Sequence, residues 1–108
     1  MPNADDLLVE IAELILGAGD QIFDQERTLP IHLPHPAGDS LGLTLLGYET
    51  ARLLPPGRGV RPRIISPDPL DQLRAAEQLT RQAPIADFPF GTVGIITRLC
   101  DEIRERTR

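Results

Sequence analysis

The chain has 108 residues, of which 41% are hydrophobic and 25% charged, with a net charge of -5. That balance suits one soluble globular domain over residues 1–108 rather than a disordered chain, while the acidic excess argues against a general nucleic-acid binder, which needs a basic face. All 11 basic residues are Arg, so lysine chemistry is absent, and the single cysteine, Cys100, allows neither an intrachain disulfide nor a cysteine-based zinc site.

No apolar run reaches transmembrane length and the N-terminus has no signal-peptide pattern, which gives the expectation of a cytoplasmic, bacterial-type protein with no membrane partner. With 4% aromatic residues and no Trp, the core has to be built from Leu, Ile, Val and Ala.

The first predicted helix has Asn3 as its cap and Asp5 and Asp6 in its first turn, where the positive helix end favours anions. Leu7, Leu8, Ile11, Leu14 and Ile15 share one face. Gly17-Ala18-Gly19 reads as the stop, with a short further turn over 20–27 around Ile22 and Phe23. Leu29 to Ala37 holds Pro30, Pro34 and Pro36 and reads as a stiff extended loop.

The second helix starts at Asp39 or Ser40 and runs to about Leu54, where Pro55-Pro56-Gly57 ends it. Its apolar residues Leu41, Leu43, Leu45, Leu46, Tyr48, Leu53 and Leu54 cover more than one face, the pattern of a central, buried helix. Residues 55–68 form a second long Pro-rich loop. Val60, Ile64 and Ile65 are expected to tuck into the core, with a short strand over 60–65 as an option. Asp68 as cap and Pro69 at the first position start a third helix, with Leu70, Leu73, Ala76 and Leu79 on one face and Pro84 closing it. A fourth helix follows Phe88-Pro89-Phe90-Gly91 and buries Ile95, Ile96, Leu99, Cys100 and Ile103; Glu102 and Arg106 are spaced to pair across one turn. The fold class is therefore all-α, four helices joined by long Pro-rich loops in a bundle.

The chemistry concentrates at Gly38-Asp39-Ser40-Leu41. Asp or Ser at a helix start needs no function, since either caps the free amides for about 1 kcal/mol. The same four residues spell the signature of one esterase group, but that reading needs a downstream Asp and His in an α/β fold. His32 and His35 both precede Ser40 and no alternating strands follow, so it is rejected. The two histidines have only scattered acids for company and read as loop residues rather than metal ligands. Arg58, Arg61 and Arg63 read as a solvated basic loop, and Cys100 as a small hydrophobe on the fourth helix. Phe88 and Phe90 are assigned to the core, with an exposed partner anchor as the alternative.

With Asp39-Ser40-Leu41 opening the second helix, the first helix beginning about 33 residues before Ser40 and the third about 29 after it, residues 7–80 resemble the acyl and peptidyl carrier protein family. The resemblance implies a carrier-like core over 7–82 and an extra C-terminal helical extension over 84–108. It implies 4′-phosphopantetheine on Ser40, Asp39 as the neighbouring acid, Leu41 as the adjacent apolar position, and acyl-transfer enzymes as partners. A phosphate there would gain from the helix N-terminus. The other expectation is a small non-catalytic helical interaction or regulatory module, homo-oligomers included. Neither makes the chain an enzyme.

Overall fold

The computed structural model describes residues 3–27 and 39–107. The loop expected over Leu29–Ala37, with His32 and His35, lies outside these residues, as do Gly38 and the side chain of Asp39. Among the described residues the fold is all-helical and without strands: α1 (Ala4–Arg27), α2 (Asp39–Ala51), α3 (Pro69–Leu79), a 3₁₀ turn (Ile85–Asp87) and α4 (Thr92–Arg106).

Helix α1 starts as its sequence dictates, with Asn3 Oδ1 accepting from the Asp5 N–H at 2.7 Å. It does not stop at Gly17-Ala18-Gly19 but continues unbroken to Arg27. The glycines serve close approach instead. A Cβ on Gly17 would run into the backbone carbonyl of Arg63, and one on Gly19 would lie 2.9 Å from Thr44 Oγ1 on α2. Each glycine costs a helix interior roughly 0.5–1 kcal/mol, and here it is what admits the strap on one side and α2 on the other.

This makes α1, rather than α2, the central element. Leu8, Ile11, Ile15 and Ala18 are fully enclosed, and α1 has the most extensive contacts of any helix, with α2 on one flank and α3 on the other. Helix α2 buries Leu43 and Leu46 but leaves Leu41, Leu45 and Tyr48 outside. Helix α4 closes the bundle against α2 and α3 through Ile95 and Leu99.

Juxtaposed residues give the directions. Gly19 abuts Thr44 while Gly47 abuts Leu16, so α1 and α2 are antiparallel. Gln72 bonds to Leu14, and the start of α3 lies by Ile22, so α1 and α3 are antiparallel too. Gly42 faces Glu102 and Gly91 faces Leu53, so α4 opposes α2. The order is up, down, down, up. Because α2 and α3 point the same way, the chain must return along the whole bundle between them.

Residues 52–68 make that return as a strap laid along α1. Arg58 pairs with Asp6 at 2.7 Å. Further on, the Arg61 N–H donates to Glu13 Oε2 at 3.1 Å, the Arg63 N–H to the Glu13 carbonyl at 3.0 Å, and Gln21 Nε2 to the Ser66 carbonyl at 2.6 Å. Pro62 and Pro67 keep the strap extended. It forms no strand, because its partner is a helix. Val60 is half-buried, but Ile64 and Ile65 are exposed, contrary to expectation. The strap turns its backbone, not these side chains, toward the core.

Gln72 of α3 fixes the strap from inside. Its side chain is fully buried. Oε1 accepts from the Ile65 N–H at 2.6 Å and the Ser66 N–H at 3.4 Å; Nε2 donates to the Leu14 and Arg63 carbonyls, each at 3.1 Å. All four capacities of the amide are used, which is what lets it be buried. Helix α3 begins as read from its sequence, with Asp68 accepting from the Leu70 N–H at 2.9 Å and Pro69 leading.

Candidate functional site

Ser40 lies in the first turn of α2, at the junction with α1. Its hydroxyl donates to Glu26 Oε2 at 2.7 Å, and its N–H donates to Glu26 Oε1 at 3.3 Å. The residue is only 8% exposed. Two turns down α1, its carbonyl lies over Gly19. Ser40 thus fastens the last turn of α1 to the first turn of α2, with Glu26 as the bracket. The Ser40 amide, one of those left free at a helix start, is bonded by Glu26. No sequence signal pointed to Glu26, since it stands in a segment read as a short separate turn.

Leu41, next along, points outward. With Leu45 and Tyr48 it forms a stripe at spacings of four and three, one face of a helix. Each exposes half or more of its surface. The flank of this stripe is fixed by the ion pair between Glu49 and Arg98, which bonds α2 to α4.

Phe88 and Phe90 part company. Phe88 is buried in the core, as expected, while Phe90 is wholly exposed, contrary to expectation. The chain is extended at Phe88 (φ -84°, ψ 154°), which alone would keep residues 88 and 90 on one face, but residues 89–92 close a turn, with the Thr92 N–H donating to the Pro89 carbonyl at 3.2 Å, and Phe90 sits at its outer corner. Gly91 then adopts a left-handed φ of 99°, which favours glycine, and starts α4. Beside Phe90 runs an apolar groove of about 480 Å³, lined by Ile85, Phe88, Val93 and Gly94 among others.

Cys100 is half-buried against α3. Among the described residues no three His, Cys, Asp or Glu side chains gather as metal ligands would, and no helix is long and apolar enough to cross a membrane.

No family model, curated protein or solved structure matches this chain.

Proposed function

We propose that this chain is a small non-catalytic helical interaction module whose α2 face receives an apolar partner surface. The observation that carries this reading is the stripe Leu41, Leu45 and Tyr48, left uncovered on a helix whose opposite side is packed on α1. An apolar helical stripe in water is the surface an amphipathic partner helix recognises through anchors at such spacings. The partner class is protein.

The rival reading is a carrier with 4′-phosphopantetheine on Ser40 and acyl-transfer enzymes as partners. The start of α2 at Asp39-Ser40-Leu41 favours it. The enclosed hydroxyl, donated to a carboxylate, counts against it: a phosphodiester there has to displace Glu26 and then stand beside its charge. The 69–79 helix also lies on α1 and α4 rather than chiefly on α1 and α2.

Two measurements test the proposal. Incubated with coenzyme A and a promiscuous phosphopantetheinyl transferase, the protein is expected to keep its mass. A gain of about 340 Da that Ser40→Ala abolishes makes it a carrier instead. In affinity capture, proteins retained by the native chain should be lost by Leu45→Asp with Tyr48→Asp at unchanged melting temperature. Retention of the same set removes the α2 face from the reading.

A further inference from the structure

We propose that the surface of Ile85, Phe90 and Val93 is a self-association contact that joins two copies of this chain about a two-fold axis. This goes beyond the α2-face reading and does not depend on it.

Three observations lead to a second copy. First, the surface carries a projection and a recess side by side. The Phe90 ring stands clear of the protein and forms one wall of an open groove that Ile85 and Val93 also line. A two-fold contact uses the same patch on both partners, so a patch holding both a knob and its hole complements itself. Two Phe90 rings meeting near the axis stack offset, each over the other copy's groove.

Second, the charge distribution suits like meeting like. The chain carries a net charge of -5, yet residues 82–97 hold one charged side chain, Asp87. Two acidic copies approach with least repulsion where charge is scarcest.

Third, the area sets the strength. Ile85, Phe90 and Val93 together offer on the order of 400 Å² per copy, about half of what a standard interface takes from each partner. The contact therefore belongs with weak, reversible associations, to be sought at chain concentrations between about 10 µM and 1 mM.

Sedimentation equilibrium across that concentration range tests the proposal. The weight-average mass of the native chain should climb from 11.9 kDa toward twice that value. Phe90→Asp should hold at the monomer mass throughout, while Leu45→Asp should associate as the native chain does, which separates this face from that on α2. Circular dichroism melting checks that both variants are folded. A second readout needs no substitution: in a mixed sample of labelled and unlabelled chains, an isotope-filtered nuclear Overhauser effect should connect the Phe90 ring to Val93 methyls of the other copy. A native chain still monomeric at about 1 mM, a Phe90→Asp variant that associates undiminished, or a dimer lacking that ring-to-methyl contact overturns the proposal.

Discussion

Helices α1 and α4 run the same way on opposite corners of one bundle, yet they are different kinds of object. Eleven of the 24 residues of α1 are buried, against three of the 15 of α4. Where α1 has glycine, another segment has moved into the space: the strap at Gly17 and α2 at Gly19. Where α4 has glycine, at Gly94, there is nothing within 4 Å. The same residue type thus marks contact in one helix and vacancy in the other. The lesson is that the core resides in α1 and the segments packed directly on it, α2, the strap and α3, while α4 adds less to the core and more to the outer surface.

Substitutions can break or sharpen that contrast, and the largest effect should fall at Gln72. Gln72→Ala removes four hydrogen bonds and leaves the strap amides and the Leu14 and Arg63 carbonyls without their buried partner. The expected loss is about 3 kcal/mol or more, read from denaturant unfolding. Gly17→Ala should follow. The new methyl meets backbone rather than a movable side chain, so overpacking of about 1–3 kcal/mol should outweigh the gain in helix propensity. Gly94→Ala is the same chemical change in α4 and should have the opposite sign, a gain of about 0.5–1 kcal/mol. If the two glycine substitutions shift the midpoint in the same direction, the contrast between the helices fails. Arg98→Ala should do least, below about 1 kcal/mol, because its pairing with Glu49 is half exposed.

Much of the helical framework was legible in the sequence because its signals are local. Asn3, Asp68 and Pro69 act within a turn of where they stand, and Glu102 does pair with Arg106, at 3.5 Å. The four-helix count and the burial of Leu43, Leu73, Ile95 and Leu99 follow from periodicity in the same way. What stayed hidden depends on residues far apart in the chain. Gly17-Ala18-Gly19 looks like a stop until the strap and α2 are placed on it. Leu41, Leu45 and Tyr48 look like core until α1 takes the central position. Of the candidate site, the location of Ser40 at a helix start was readable, but its enclosure by Glu26 was not, since nothing in the spacing of residues 26 and 40 announces the bond. Gln72 was invisible for the same reason: a polar residue inside an apolar stripe shows its partners only in three dimensions.

The strap has no regular secondary structure, and its isoleucines face water, so it resembles a segment that opens freely. Its link to Gln72 makes it the reverse. The Ile65 amide is bonded to a side chain that is itself held by α1, so freeing that amide means separating α3 from α1. In hydrogen exchange, Ile65 should therefore be protected about as well as the centre of α1, exchanging only through global unfolding, whereas Gly57 and Gly59 should exchange near the open-chain rate. A loop by appearance would then belong, in its energetics, to the most cooperative unit of the protein.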